Sequence, residues 1–224
     1  MNWIMSQEWS EAYFLNFKVD RLHLLPLLPK GIELDQYEGQ NYVSLIPFYM
    51  KNTHLRFMST FGFKTFPEVN LRTYVKYQDK AGVLFLSLDS THHLFNKLFR
   101  SFCEIPYIDS YITYQDANHN RKIHLQREEF KLDCELRYDP IQKVSCELGS
   151  FEYWIAERYY FFNAQKGKTM LWEVEHKPWE IFRAEGEISK FHYNQVPLNL
   201  RHLRKDFLYS PGVQTRAFWG KVIR

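Results

Sequence analysis

The chain has 224 residues, 45% of them hydrophobic and 18% aromatic, with a formal charge of +3. That length suits one large domain with a sizeable core. No polar linker divides it, so residues 1–224 read as a single domain. The charge is too small and too scattered for a nucleic-acid binder. No run approaches the ~20 apolar residues of a membrane span. Glu8 and Glu11 stand where a leader would be basic and then apolar, which points to a cytoplasmic protein.

The aromatic excess (19 Phe, 15 Tyr) leans toward strands. In chain order, 12–18 reads as a strand and Asp20 as a helix cap. Pro26 and Pro29 keep the turn after it short. Residues 41–50 read as a strand in which Pro47 argues for an edge or a bulge. A strand over 68–77, a turn at 79–82 and a strand over 83–88 form a hairpin. Residues 90–103 carry the firmest helix, capped by Asp89 or Ser90, with Leu94, Leu98 and Phe102 at helical spacing and Phe95 and Phe99 alongside. Strands follow over 111–114, 122–126 and 130–138, with turns at 118–120 and at Asp139-Pro140. A short helix over 150–157 leads into a hairpin, 158–164 and 170–175, turning at 166–168. A last strand covers 181–191. The fold class is mainly β (α+β): a large antiparallel sheet of about ten strands closing, or nearly closing, into a barrel, with one firm helix and one or two short ones.

Side chains alternate across a strand. Over 68–75, one face carries Val69, Leu71, Thr73 and Val75, and the other Glu68, Asn70, Arg72 and Tyr74. Glu68 and Arg72 lie ~13 Å apart along the strand, too far for a tight pair and spaced to line a groove or lumen. On pattern alone, a polar face opposite an apolar one reads as solvent-facing.

The runs P-K-G-I-E-L-D-Q-Y-E-G (29–39), F-P-E-V-N-L-R-T-Y-V (66–75), G-V-L-F-L-S-L-D (82–89), I-P-Y (105–107), E-R-Y (157–159) and H-K-P-W (176–179) resemble, in order, the YqjF-like family. That bacterial family is grouped with the acetoacetate decarboxylase-like fold, a β-barrel around a small-molecule cavity. The resemblance turns the Glu68 face toward the cavity and leaves a homo-oligomer open. It does not carry the decarboxylase chemistry over. Those enzymes form a Schiff base through a lysine in a P-K-K run, where this chain has Pro106-Tyr107-Ile108, and a tyrosine cannot form one. Glu68 matches their cavity carboxylate, whereas Leu25 falls where their substrate-holding arginine would be. Lys97 lies off the apolar helix stripe and reads as exposed.

The candidate ligand-binding residues are therefore Glu68, Asn70, Arg72, Tyr74 and Tyr107. Arg72 offers a planar fork for a carboxylate or phosphate, Asn70 and the tyrosines neutral hydrogen bonds, and Glu68 an acid or base. This favours a barrel binding a small anionic or carbonyl compound. The alternatives are an enzyme using Glu68 without a Schiff-base lysine, and a filled, non-catalytic barrel in which Glu68 and Arg72 join a buried network with Arg100 or Asp89. Arg158 reads as bonding helix carbonyls or reaching the cavity, 176–179 as a packed turn, and 201–205 as a solvated basic turn. His92 and His93 face different ways on their helix. Cys103, Cys134 and Cys146 form no CxxC pair. No metal or cofactor is implied.

Overall fold

The computed structural model describes residues 3–57 and 62–224. The chain opens with β1 (Met5–Val19), α1 (Arg21–Leu24), β2 (Glu33–Leu34), β3 (Asn41–Leu55), β4 (Gly62–Phe63), β5 (Phe66–Tyr77), β6 (Lys80–Ser90) and α2 (His93–Cys103). It continues with β7 (Tyr107–Asp109), β8 (Tyr111–Ala117), β9 (Asn120–Gln126), β10 (Phe130–Val144), α3 (Phe151–Ala156), β11 (Tyr160–Gln165), β12 (Lys168–His176), β13 (Ile181–Tyr193), β14 (Phe207–Ala217) and β15 (Lys221–Val222). All fifteen strands belong to one sheet.

Seven of those strands close a ring. β12, β11, β6, β5, β3, β1 and β14 pair in that order, and β14 pairs back to β12 through Val174–Ala217 and its neighbours. From β14 the sheet continues outward through β13, β10, β9 and β8 as a wing. The wing folds over the outside of the ring, where Leu15, Leu45 and Leu71 share a core with Ile123, Leu125 and Leu132. A second core fills the ring from within. There Phe14, Phe48, Leu88 and Trp172 meet Phe95 and Phe99 of α2 and Ile155 of α3.

Most predicted elements are present, with longer bounds. Asp20 caps α1, accepting from the Leu22 N–H. Ser150 caps α3, accepting from the Tyr153 N–H at 3.1 Å. Pro47 lies in β3 between β1 and β5, so it is not on an edge. The β1–β3 register shifts between Ser10 and Leu15, and this irregularity spans the stretch of β3 that holds Pro47. A proline removes a ladder donor, and a bulge is where that loss is tolerated.

Several expectations are corrected. The sheet is not wholly antiparallel, because β6 pairs in parallel with both β7 and β11. The hairpin after β5 turns at Gln78-Asp79, and Lys80 to Gly82 already belong to β6. A Cβ on Gly82 would sit 2.5 Å from the Tyr160 carbonyl, so the glycine permits β11 to approach. Asp139-Pro140 is no turn; β10 runs through it to Val144, with a register shift against β13 between Tyr138 and Lys143. In α2 the inward stripe is Phe95, Phe99 and Cys103, while Leu94 and Phe102 are exposed. The cap of α2 is His92, whose Nδ1 accepts from the Phe95 N–H at 3.3 Å.

Sequence reasoning missed β14, the strand that closes the ring. Its centre is Ser210-Pro211-Gly212, which reads as a turn. In the structure Gly212 has φ +124°, and a Cβ there would lie 2.1 Å from the Trp9 carbonyl. No other residue fits so close an approach at that backbone angle.

Candidate functional site

All seven ring strands contribute to one cavity of about 90 Å³ inside the ring. Its wall is mainly aromatic and aliphatic: Phe14, Phe48, Phe85, Leu88, Trp172 and Val174 are among the residues lining it. The polar side chains facing it are few. β5 supplies Glu68, Asn70 and Arg72, β1 supplies Gln7 and Trp9, β7 supplies Tyr107, and the loop after β12 supplies Trp179.

Four of the five predicted residues, Glu68, Asn70, Arg72 and Tyr107, therefore share one cavity wall. Their face of β5 is inward, as the resemblance implies, and not toward solvent as the bare pattern suggests. Val69 and Leu71 face the outer core. The fifth, Tyr74, is on the same face but does not line the cavity. Its hydroxyl is 2.5 Å from Ser44 Oγ, and its ring lies 4.3 Å from that of Trp154 in α3. It helps seat that helix.

Glu68 is 1% exposed. Burial pushes its carboxyl up to about 8; a hydrogen bond with Tyr107 opposes the shift, and nearby Asp89 adds to it. Tyr107 is raised well above its ordinary value, first by burial and then by the neighbouring carboxyl. At neutral pH the pair is thus mostly a neutral acid beside a neutral phenol. The second carboxyl oxygen, Oε2, has no partner. The backbone of Glu68 is pinned from outside, where Tyr114 of the wing donates to its carbonyl at 2.6 Å.

Arg72 donates from Nη2 to the Ile155 carbonyl at 2.8 Å, and its guanidinium lies over the rings of Tyr74 and Phe14. No carboxylate lies within ion-pair distance of it among the described residues. In the alternative reading, Glu68 and Arg72 join a buried network with Arg100 or Asp89; neither of those two residues hydrogen-bonds or pairs with Glu68 or Arg72 among the described residues. Asp89 is held by Ser87, Ser110 and Arg127. Arg100 bonds the Tyr107 carbonyl and Asp109. Arg158 reaches helix carbonyls, donating to Trp154 at 2.5 Å, and pairs with Asp35 at 2.6 Å.

The unpartnered polar atoms are the cavity's clearest feature. Gln7 Oε1, Trp9 Nε1, Glu68 Oε2, Asn70 Oδ1, Arg72 Nε and Trp179 Nε1 are all buried, all without a hydrogen bond, and all on residues lining this cavity. Buried polar groups are nearly always bonded, so six such atoms around one space mark it off from ordinary core. Gln7, Trp9 and Trp179 were not foreseen as candidates. The sequence signals were the aromatic excess and, for Trp179, its place in the H-K-P-W run of the family resemblance, but 176–179 read as a packed turn.

No lysine lines the cavity among the described residues. Lys97 is exposed on α2, and Leu25 is exposed on the turn after α1, both away from it. The Cys103 thiol does line it, but burial pushes it up to about 11. Among the described residues no cluster of three or more His, Cys, Asp or Glu is arranged to hold a metal ion. No helix among them is long and apolar enough to cross a membrane.

The ring, its wing and the internal cavity define the class of fold. The whole chain aligns with acetoacetate decarboxylase from Legionella pneumophila at a TM-score of 0.73 and 13% identity, covering 90% of that chain. It aligns over its whole length with MppR, an enduracididine biosynthesis enzyme complexed with pyruvate, at a TM-score of 0.70 and 9% identity, covering 92% of that chain. An acetoacetate decarboxylase-like enzyme from Sphingomonas wittichii RW1 gives 0.66 and 12%, again with all of this chain and 94% of the other covered. The fold is acetoacetate decarboxylase-like, and at these identities the likeness is one of fold alone.

The sequence places the chain more narrowly. Residues 6–214 match DUF2071, a family described as an uncharacterized conserved protein. The chain is 34% identical to the uncharacterized protein YqjF of Bacillus subtilis (strain 168) over 195 residues, 84% of this chain and 78% of that protein. It belongs to the DUF2071 family.

Proposed function

We propose that the ring acts as a small-molecule-binding barrel whose ligand is a small anionic or carbonyl compound, anchored by Arg72. The supporting observation is the set of six unpartnered polar atoms around an otherwise apolar cavity. Small-ligand sites are built this way, with apolar walls and a few convergent polar groups. Arg72 supplies a buried cation with no carboxylate partner among the described residues, an arrangement that is costly unless an anion neutralises it. The indole N–H groups of Trp9 and Trp179 are donors that suit carbonyl or carboxylate oxygens. The pyruvate complex of MppR, a protein of the same fold, adds weight to this class of ligand.

The test is a thermal-shift screen of the whole protein against oxo acids, aromatic acids and small phosphates. A ligand at 100 times its Kd adds ~2.7 kcal/mol of stability, a rise of roughly 5–10 °C for a domain of this size. The expected hit is an oxo acid, with the shift reduced or lost in Arg72→Gln. A hit that persists unchanged in a folded Arg72→Gln protein removes the anchor. No hit across the panel would favour a structural role, with the barrel closed to ligands.

A further inference from the structure

We infer that this cavity catalyses proton transfer to and from the carbon beside a carbonyl, interconverting the enol and keto forms of a short oxo acid, with Glu68 as the proton donor to carbon and no covalent intermediate. The inference rests on the ligand-binding reading above and adds a reaction to it.

The argument starts from the order of groups along β5. Glu68, Asn70 and Arg72 follow one another on the inward face at alternate positions. Their Cα atoms span ~13 Å from first to last. One small ligand touches all three only if it lies along the strand. Its carboxylate then meets Arg72, its carbonyl or enol oxygen passes Asn70, and its next carbon comes to Glu68. That sequence of groups is an oxo acid read from one end.

Each neighbour suits its step. Glu68 lines the cavity with an Oε2 that has no hydrogen-bond partner among the described residues, while Tyr107 hydrogen-bonds the carboxyl. An acid kept neutral by burial holds its proton for delivery. The enol oxygen that turns into a carbonyl is matched by the unpartnered indole N–H donors of Trp9 and Trp179, so little reorganisation is required as charge builds there, and the unpartnered Asn70 Oδ1 is an acceptor suited to the enol O–H. Among the described residues, covalent routes have no nucleophile to start from. No lysine lines the cavity among the described residues, and the Cys103 thiol is held protonated.

The step balances without a co-reactant. The enol C=C pair forms a C–H bond with the Glu68 proton, leaving the carboxylate. The enol O–H bond breaks as C=O forms, and its proton leaves to water. Glu68 regains a proton from water when the ketone departs. Nothing is oxidised or reduced.

The probe is 2-hydroxyacrylate, the enol of pyruvate, released in situ from its phosphate ester by a phosphatase and followed by the decay of its ultraviolet absorbance. Wild-type protein should speed ketonisation about a hundredfold or more over buffer. Glu68→Gln should lose the acceleration while still showing a thermal shift with pyruvate. The wild-type rate should fall as pH rises through about 8, where Glu68 gives up its proton. Tyr107→Phe should move that falling limb to higher pH, because the Tyr107 bond holds the Glu68 carboxyl down; a purely structural role for Tyr107 would leave the limb in place. If pyruvate shifts the melting temperature but no acceleration appears, the proton-transfer inference is overturned and the binding reading stands. If neither appears, both fall. Acceleration equal in Glu68→Gln would remove Glu68 from the reaction, and a product trapped on the protein by borohydride would replace this route with a covalent one.

Discussion

Tyr107 and Glu68 are hydrogen-bonded to each other inside the ring, brought together because β7 lies parallel to β6 and places Tyr107 opposite Leu88. Glu68 reaches the same spot from β5, where Asn70 is the residue opposite Leu88. Two segments 39 positions apart in the chain (107 − 68) thus meet across one strand.

Burying Glu68 makes the fold sensitive to pH in an unusual direction. Its carboxyl is raised from an ordinary 4.5 to about 8, chiefly by burial. Below about 4.5 it is protonated both folded and unfolded and has no effect on stability. Between about 4.5 and 8 the unfolded chain gives up the proton and the folded one keeps it, so stability falls as pH rises. Glu68→Gln removes this penalty. Urea unfolding should show the variant gaining on wild type from pH 5 to pH 8, toward an upper bound of ~5 kcal/mol. A difference that stays flat across that range would mean that Glu68 is ionised in the native protein.

The wing is tied to the ring by a second buried carboxylate. Arg127, in the β9–β10 turn, donates from Nε to Asp89 at 2.6 Å, and both side chains are nearly inaccessible. Removing the cation leaves Asp89 with only the hydroxyls of Ser87 and Ser110. Arg127→Met should therefore destabilise by ~3–5 kcal/mol. Adding Asp89→Asn to it should recover much of the loss, because the stranded charge goes with it. The double-mutant cycle by denaturant unfolding decides this: strictly additive losses would show that the two groups act independently.

How much of this was legible in the sequence depends on which force sets each feature. The alternation of β5 was readable because a strand has period two, and Glu68, Asn70 and Arg72 could not fall on the Val69 face. Which side of that strand was wet was not readable. The wing that covers its outer face comes from β8 to β10 and β13, far along the chain, and only the family resemblance supplied the inward choice. The α2 stripe failed for a different reason. Leu94-Leu98-Phe102 and Phe95-Phe99-Cys103 are equally apolar rows one residue apart, and only packing against Phe63, Phe66 and Tyr107 chooses the second. β14 was hidden by Pro211-Gly212, whose turn-like chemistry here lies inside a strand that keeps an unbroken register with β1, Gly212 opposite Ser10 and Ser210 opposite Ala12. The donors of Trp9 and Trp179 could not be foreseen, since a tryptophan in a sequence does not announce whether its N–H will find a partner.

Trp179 allows the binding role to be separated from the structural one. Its ring stacks on Trp9 at 6.1 Å between centroids and meets Phe14 edge-on at 5.5 Å. Its backbone N–H is held by Glu157 Oε1 at 2.8 Å, so the loop keeps its place whatever the side chain. Trp179→Phe retains an aromatic ring in that stack and deletes a buried N–H that has no partner among the described residues. Deleting an unsatisfied donor carries little penalty in the free protein, and the stability should move by no more than ~1 kcal/mol in either direction. A bound oxo acid would lose a hydrogen bond to a charged group, worth ~1.5–3 kcal/mol, and its Kd should rise by roughly 10- to 150-fold. Calorimetric titration of pyruvate or 2-oxobutanoate into both proteins measures it. A large drop in melting temperature with unchanged affinity would make Trp179 a packing residue and leave its N–H outside the ligand's reach.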